Sequence, residues 1–356
     1  MSTQTPLAEA QENGAMHLVN DLLAVAVRER ASDIHVEAAE DGLRVRLRVD
    51  GIAVEQPPVT AAMRQGFLAH LKNMAGLNIA EKRLPQDGRI QLTIEGRRLD
   101  LRVSTVPTIH GETMTLRILD TKAVQLRLEQ VCDLPETCEA IKALLAKPNG
   151  LILVNGPTGS GKTTLLYAML AEVNLPKKVV FAIEDPVEYA IPGVNQLAVQ
   201  PAIGLSFSRL LRSVMRQDPD VVMIGEIRDV ETLQVAIQVA ITGHLVLSTL
   251  HTNSAVSAVR RLLDLGVEPY LLRSGLAGVI SQRLVRRLCP DCKRQAPLPD
   301  YLTDELRAEL SALSITTHWE PVGCDKCRQT GYRGRLALHE ILRPGPALLA
   351  AIDRQL

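Results

Sequence analysis

Residues 156–164 constrain the fold of this chain more than any other segment. Their sequence, Gly-Pro-Thr-Gly-Ser-Gly-Lys-Thr-Thr, matches G-x-x-x-x-G-K-[ST] at every fixed position, which predicts a phosphate-binding loop. An apolar run typical of a buried strand precedes the loop at 151–154, and a segment of helix-forming composition follows at 164–170. A strand, a glycine turn and a helix in this order point successive backbone N–H groups at one place, where a polyphosphate binds. The alternative is a chance glycine turn, and the flanking strand and helix argue against it.

The loop supplies the candidate nucleotide-binding residues. We expect Lys162 to reach the β- and γ-phosphates and the Thr163 hydroxyl to hold Mg²⁺. The candidate set is Gly156, Pro157, Thr158, Gly159, Ser160, Gly161, Lys162, Thr163 and Thr164.

The composition argues against several classes of protein. Lys plus Arg and Asp plus Glu both number 40, so the formal net charge is zero and gives no global attraction to nucleic acid. Three Phe and one Trp are too few for a platform on which single-stranded bases stack. No apolar stretch reaches the roughly 18 residues that span a bilayer, and residues 1–5 lack the features of a secretory signal. We therefore expect a cytosolic protein with no transmembrane segment, no direct contact with nucleic acid, and six cysteines that are reduced or metal-bound.

The first third of the chain is predicted to be a small α+β domain. Apolar residues recur at helical spacing over 18–30, and residues 42–51 alternate between apolar and polar side chains before an Asp-Gly turn, as a half-exposed strand does. Similar alternation follows at 89–96 and 98–103, across a glycine turn. These patterns predict a disordered end at 1–14, the α+β domain at 15–120 and a polar linker at 121–136.

Behind the linker, four short apolar runs predict strands that are buried on both faces of a mainly parallel sheet, with helices on each side. Polar groups lie beside these runs: Glu184 follows the second run and Glu226 the third, while His244 precedes and His251 follows the fourth. Ligands bind at the carboxyl ends of parallel strands, so we expect these groups to converge beside the phosphate loop. Gly225 stands where an acidic residue normally ends the metal-binding strand, which favours metal contact through water. Together these groups suit the hydrolysis of a nucleotide.

Two CxxC pairs, separated by 31 residues, predict a metal site. In a cytosolic chain this spacing is typical of a tetrahedral zinc site formed by Cys289, Cys292, Cys324 and Cys327. A redox dithiol would need only one CxxC pair. A closed set of four thiolates leaves no position for water, so we expect a structural role.

Four segments resemble those of a known family. They are Glu-Asp-Pro-Val-Glu-Tyr at 184–189, Leu-Arg-Ser-x-x-Arg-Gln-Asp-Pro-Asp at 211–220, Gly-Glu-Ile-Arg-Asp at 225–229 and Thr-Gly-His-Leu-Val-Leu-Ser-Thr-Leu-His-Thr-Asn at 242–253. These segments look like the Asp box, the Walker B segment and the His box of the secretion ATPase superfamily, which drives type II secretion and type IV pilus assembly. The resemblance covers about residues 17–345, and the four cysteines resemble those of its assembly and secretion branch.

The resemblance implies an α/β fold in which a PAS-like domain precedes a RecA-like motor domain that binds ATP and Mg²⁺. It also implies a ring-shaped homohexamer and a subdomain that binds Zn²⁺. The expected divisions are the RecA-like ATPase core at 137–284, the Cys₄ zinc subdomain at 285–345 and a C-terminal tail at 346–356.

The family's roles transfer to matching positions of this sequence. Glu184 becomes the candidate general base and Glu226 the metal-linked carboxylate, while His244 and His251 become sensors of the γ-phosphate or coupling residues.

Three arginines of the small domain complete the candidate site. Arg102 and Arg117, with Arg89, would reach the nucleotide from a neighbouring domain. Charge that develops on the γ-phosphate needs cations, and the phosphate loop supplies one lysine. The alternative is that each arginine is an ordinary surface charge on a strand.

The resemblance implies inner-membrane assembly proteins as partners and a peripheral place at that membrane. Members of the family usually have a further N-terminal domain that docks the membrane platform, and the residues before 15 are too few to form it. The family's usual C-terminal helices are also expected to be missing, because the sequence ends at Leu356. The alternatives are a pilus-retraction or DNA-uptake motor, against which the cysteine pairs argue, and a catalytically weak scaffold subunit of a mixed ring. The intact phosphate loop and Glu184 argue against the scaffold.

Overall fold

The computed structural model describes residues 6–120, 127–174 and 176–353. Two units, Met1–Val124 and Gln125–Leu356, each have their own set of internal contacts.

Over residues 6–120, the first unit contains two helices and one antiparallel sheet. Its six strands lie in the order β3-β2-β1-β6-β5-β4. Apolar residues of both helices, among them Leu23 and Phe67, pack with strand residues such as Ile34 and Leu116 in a single core. The expected α+β architecture is confirmed. The elements are α1 (Pro6–Arg28), β1 (Asp33–Ala39), β2 (Gly42–Val49), β3 (Ile52–Thr60), α2 (Ala61–Met74), β4 (Gln86–Ile94), β5 (Arg97–Thr108) and β6 (Gly111–Asp120).

The second unit is built on a seven-stranded sheet in the order β15-β12-β7-β11-β10-β8-β9. Every neighbouring pair is parallel except the antiparallel pair β12 and β15, so the predicted mainly parallel sheet is confirmed. Three short 3₁₀ turns lie at Pro201–Ile203, Met215–Gln217 and Asp325–Cys327. The elements are α3 (Leu128–Val131), α4 (Pro135–Leu145), β7 (Gly150–Asn155), α5 (Lys162–Val173), β8 (Val180–Glu184), β9 (Asn195–Ala198), α6 (Phe207–Val214), β10 (Val221–Ile224), α7 (Val230–Ile241), β11 (Leu245–Leu250), α8 (Ala255–Asp264), α9 (Pro269–Gly275), β12 (Leu276–Leu288), β13 (Arg294–Pro297), α10 (Asp304–Ala312), β14 (Thr317–Glu320), β15 (Tyr332–Leu342) and α11 (Pro346–Asp353).

The central strands are buried throughout because both faces of the sheet are covered. In β7, Leu151 and Leu153 join an apolar cluster with α6, α7 and α8, whereas Ile152 and Val154 join a second cluster with α5. This division follows from the alternation of side chains along a strand. All residues of β7 and β11 are buried, which fixes the carboxyl ends of these strands, and therefore the loops that follow them, firmly in place.

Two segments expected to lack secondary structure, at the start of each unit, contain helical residues. The first helix begins at Pro6, within the segment 1–14, because a leading proline followed by Leu, Ala, Glu and Gln favours a helix start; residues 1–5 lie outside the described part of the chain. Within the predicted linker, residues 121–126 lie outside the described part as well. The rest of the linker contains α3, whose Leu128 is fully buried.

Two later predicted divisions also differ from the elements of the structure. Residue 285, the expected start of the zinc subdomain, lies in the middle of β12, because this strand pairs with β15 as far as Leu288 and Tyr332. The expected tail contains α11, whose Ile352 is fully buried in the same cluster as α7 and α8.

Candidate nucleotide-binding site and cysteine cluster

A cavity of about 400 Å³ opens at the carboxyl ends of β7, β8, β10 and β11. Residues from Thr158 to Thr164 line one side of it, and Glu184, Glu226 and His251 line the rest together with neighbours. The expected convergence of these groups is therefore observed for the two carboxylates and for one of the two histidines.

Two glycines of the loop, Gly156 and Gly161, are required by its close contact with Gln282. Gly156 and Gly161 have φ of 148° and 85°, and a Cβ on them would lie 2.4 Å and 2.7 Å from the backbone oxygen and Nε2 of Gln282. Gln282 is 1% exposed and its Nε2 donates to the Ser160 carbonyl at 2.7 Å. Gln282, which belongs to β12, thus packs against the loop and fixes it through this hydrogen bond.

The side chain of Lys162 folds back onto the phosphate loop. Its Nζ donates to the carbonyls of Gly156 at 2.7 Å and Pro157 at 3.1 Å, and lies 3.4 Å from His251 Nδ1. Burial lowers the pKa of Lys162, while the nearby Glu226 opposes this shift. The ammonium group is therefore desolvated and held by weak neutral acceptors, which an incoming phosphate oxygen can replace.

Glu184 ends β8 and is 3% exposed. Burial raises the pKa of its carboxyl, and hydrogen bonds from Tyr167 and Gln196 counteract this shift. Tyr167 donates its hydroxyl to Oε2, and Gln196 donates from Nε2 to Oε1 at 2.9 Å. A carboxylate with a raised pKa at the edge of a cavity has the properties of a general base.

Glu226 follows β10 and is ion-paired. Arg228 lies against its Oε1 and lowers the pKa of Glu226, and His251 Nε2 lies 3.6 Å from its Oε2. The preceding Gly225 allows this arrangement, because a Cβ there would lie 3.3 Å from the Ile183 carbonyl. Glu226 is thus ionised and near the loop, as a carboxylate that contacts a metal must be.

His244 does not join the other candidates at this cavity, and its expected convergence with them is wrong for a single chain. It precedes β11, and its backbone carbonyl accepts from Gly150 N, which starts β7. The phosphate loop follows the opposite end of β7. Five residue steps along the strand separate that end from the end at which His244 lies, which corresponds to about 17 Å. The Nδ1 of His244 lies 3.1 Å from the Val239 carbonyl. The sensing or coupling role of His244 stays a prediction.

Three candidate arginines lie in the first unit, whereas the residues that line the cavity belong to the second. Arg89, Arg102 and Arg117 lie directly opposite one another on β4, β5 and β6, and Asp33 of β1 continues the row. Opposed residues share one face of an antiparallel sheet, so the three arginines form a single row. Arg117 Nε donates to Asp33 Oδ1 at 3.0 Å, and Arg89 is paired with Asp100.

The four cysteines of the CxxC pairs come together. All four sulfur atoms lie within 4.8 Å of one another, and Cys289–Cys324, Cys292–Cys327 and Cys324–Cys327 are separated by 3.9, 3.7 and 3.7 Å. Four sulfurs at about 2.3 Å from a Zn²⁺ lie about 3.8 Å apart at the corners of a tetrahedron. The donor set therefore fits zinc. Burial alone would raise the pKa of the Cys327 thiol. Hydrogen bonds from the backbone N–H groups of Cys324 and Gly331 outweigh this effect and lower the pKa to about 6, which favours the thiolate.

Sequence reasoning missed several residues around the cavity. Tyr167 and Gln196 contact Glu184, Gln282 supports the loop, and Arg335 lines the cavity from β15. The sequence offers one signal, a tyrosine within the apolar run Leu165–Leu170 that follows the loop, because a buried tyrosine hydroxyl needs a partner.

The site and fold define a nucleoside triphosphatase with a phosphate loop, and comparison with known proteins identifies its family. Residues 8–355 match the family described as Type II/IV secretion system protein. This chain belongs to that family. It is 49% identical over 339 residues to the putative type II secretion system protein E of Escherichia coli K12, covering 95% of this chain and 68% of that protein. It is 47% identical over 356 residues to the type II secretion system ATPase E of Vibrio cholerae, covering 98% and 69%.

Solved structures show the same fold. The pilus retraction motor PilT with bound ADP is 26% identical, with a TM-score of 0.61 over 94% of this chain and 85% of that one. The Legionella pneumophila ATPase DotB, at 19% identity, has a TM-score of 0.67 over 95% and 86%, which supports the fold alone. Within the described part of this chain, no helix is both long enough and apolar enough to cross a membrane.

Proposed function

We propose that this chain hydrolyses ATP to power a type II protein secretion machine. The observation that carries the proposal is a phosphate loop with a buried glutamate, Glu184, and an ionised one, Glu226, on the same cavity. The relatives named type II secretion system protein E, at 46–49% identity, indicate the machine. The likeness to PilT is weaker at 26% identity, so a retraction motor is less well supported, and the intact site argues against a scaffold without activity.

In the proposed reaction the phosphate loop binds the polyphosphate of ATP. Its backbone N–H groups and Lys162 hold the β- and γ-phosphates, and the lysine exchanges its carbonyl acceptors in the loop for phosphate oxygens. Thr163 is exposed toward the cavity and would hold Mg²⁺ with Glu226, through water. Oxygen donors of this kind suit Mg²⁺, which when bound neutralises charge between the β- and γ-phosphates.

Hydrolysis then needs an oriented water and compensation of charge on the γ-phosphate. Glu184 is proposed to take the proton of the attacking water, since it lines the cavity and its burial raises the pKa of its carboxyl. His251, placed between Lys162 and Glu226, is proposed to sense the γ-phosphate. Arg102 and Arg117 are proposed to act on ATP from the first unit, of the same or a neighbouring chain.

The cysteine cluster is proposed to bind one structural Zn²⁺ through Cys289, Cys292, Cys324 and Cys327. We further propose that the chain forms a homohexamer and works at the cytoplasmic side of the inner membrane, held there by assembly proteins of the secretion machine. The family relationship supports both statements.

Turnover of ATP by the purified chain tests the proposal. Lys162→Ala should abolish hydrolysis and leave the fold intact, because the described hydrogen-bond partners of the side chain are the loop carbonyls and His251. Lys177→Ala, an exposed lysine between α5 and β8, is the matched control and should turn over ATP like the wild type. Hydrolysis by Lys162→Ala at the wild-type rate would refute the assignment of the site.

A further inference from the structure

Both carboxylate oxygens of Glu184 are held by side chains that no sequence motif assigns. Tyr167 belongs to α5, the helix that begins at Lys162, and is 3% exposed. Its hydroxyl donates to Glu184 Oε2 and accepts from Glu188 N at 3.3 Å. Its ring meets that of Tyr189 edge to face, with centroids 4.4 Å apart. The position of the hydroxyl is therefore fixed by contacts on three sides.

Gln196 holds the other oxygen. It lies on β9, which runs parallel to β8, and its Nε2 donates to Glu184 Oε1 at 2.9 Å and to the Tyr189 carbonyl at 3.0 Å. Its Oε1 accepts from Ile191 N at 2.7 Å. The amide cannot be flipped, because the oxygen must face an N–H donor and the nitrogen two acceptors.

We propose that Tyr167 and Gln196 are positioning residues that hold the Glu184 carboxylate in the orientation in which it accepts the proton of the attacking water. The proposal rests on the role of Glu184 as the general base. An ionised carboxylate has about four lone-pair sites, so two fixed donors leave room for a water that approaches from the cavity. Neither Tyr167 nor Gln196 takes part in proton transfer.

The same two donors oppose the groups that disfavour an ionised Glu184. Burial and the neighbouring Glu188 raise the pKa of Glu184, and the hydrogen bonds from Tyr167 and Gln196 lower it. Burial also raises the pKa of Tyr167 and Tyr189 well above the ordinary range, so both rings stay neutral and the tyrosine hydroxyl remains a donor. Loss of one donor therefore leaves the base protonated at a higher pH than in the wild type.

Tyr167 also links the base to the phosphate loop. Lys162 and Tyr167 lie on the same helix, separated by five positions. A rigid helix keeps the lysine that holds the phosphate and the hydroxyl that holds the base at a constant distance. The orientation of Glu184 relative to the γ-phosphate therefore depends on α5 as well as on β8, the strand that carries Glu184.

The test compares the pH dependence of kcat in Tyr167→Phe, Gln196→Leu and Tyr189→Phe. For the first two variants we expect kcat to fall about tenfold and KM for ATP to change little. The acid limb of the kcat profile should move to higher pH by about one unit, because each variant loses a hydrogen bond to a charged group. Tyr189→Phe keeps the ring contact and no described hydrogen bond of Glu184 depends on its hydroxyl. Its acid limb should match that of the wild type.

The outcomes separate this inference from the proposed function. Normal turnover in Glu184→Gln would refute the general base itself. If Glu184→Gln is inactive while Tyr167→Phe and Gln196→Leu keep the wild-type acid limb, the positioning role is refuted and the base is retained. Thermal unfolding of each variant identifies one that does not fold, and the other variant then decides the question alone. A fall in kcat with an unmoved acid limb would also overturn the proposal, since it would indicate a structural role.

Discussion

Removal of the metal from the cysteine cluster should unfold one segment of the second unit and leave its sheet intact. Among residues 289–331, all of which the structure describes, only Cys289, Cys327 and Gly331 are buried. No residue of α10 is buried in this fully described segment. The segment therefore has no apolar core of its own, and the zinc proposed for the cluster would have to supply the free energy that keeps it folded.

The magnitude follows from the chemistry of the site. Binding of a structural zinc contributes on the order of 10 kcal/mol to the folding of a small domain without a core. Each 1.4 kcal/mol is about a tenfold change in an equilibrium constant, so removal should abolish local protection rather than weaken it. The reporters are the amides of Gln329 and Thr330, which donate to Cys324 and Cys327 carbonyls at 2.9 and 3.1 Å.

The assay combines elemental analysis with hydrogen exchange. We expect one zinc per chain, and with a chelator we expect fast exchange from residue 293 to residue 330, while the ladder between β12 and β15 stays protected. Cys292→Ser should lose the metal. Cys138→Ser is the matched control, because Cys138 is a buried cysteine outside the cluster, and it should keep the metal. Protein purified without chelator that contains no metal, or a segment that stays protected after chelation, would refute the reasoning.

Three further predictions concern single side chains. Glu184→Gln should bind ATP normally and lose hydrolysis by about 10²-fold or more; weak binding with normal turnover of bound ATP would contradict the role of a base. Arg117→Ala should lose turnover and keep ATP affinity, and mixing it with Lys162→Ala subunits should restore part of the activity if the arginine acts across subunits; mixed rings without recovery would indicate action within one chain. Lys72→Met should destabilise the first unit by about 3–5 kcal/mol in chemical denaturation, because it leaves the buried carboxylate of Glu112 unpaired; the double variant Lys72→Met/Glu112→Leu should recover most of this loss, and equal losses in both would contradict the argument.

The sequence predicts those parts of the fold that depend on local patterns. The run 151–154 and its three counterparts predict buried parallel strands, because only strands covered on both faces are apolar throughout. The strand β9 escapes prediction because it lies at the sheet edge, where its four residues are at most half-buried and carry no clear alternation. Strand β12 is longer than its apolar run, because its second half is stabilised by pairing with β15 rather than by burial.

The candidate site is predictable where a motif defines it and not where contacts complete it. The phosphate loop follows from its motif, and Glu184 and Glu226 follow from their positions after apolar runs and from the family resemblance; all of them line one cavity. Tyr167 and Gln196 are separated by 29 positions along the chain and approach Glu184 from two different elements. Such a pair depends on how a helix and an edge strand pack, which no local pattern encodes.

The row of arginines on the first unit has a consequence for its electrostatics. Arg48 faces Asp33 on the other side of the row, so one sheet face carries Arg48, Asp33, Arg117, Arg102 and Arg89 on five neighbouring strands. Like charges placed directly opposite each other destabilise a sheet, and Arg102 stands between two of them. An anion held by this face would replace repulsion with attraction and stabilise the folded unit as binding of any ligand to the native state does. We therefore expect the stability of this sheet to change with ionic strength and with the anions in solution.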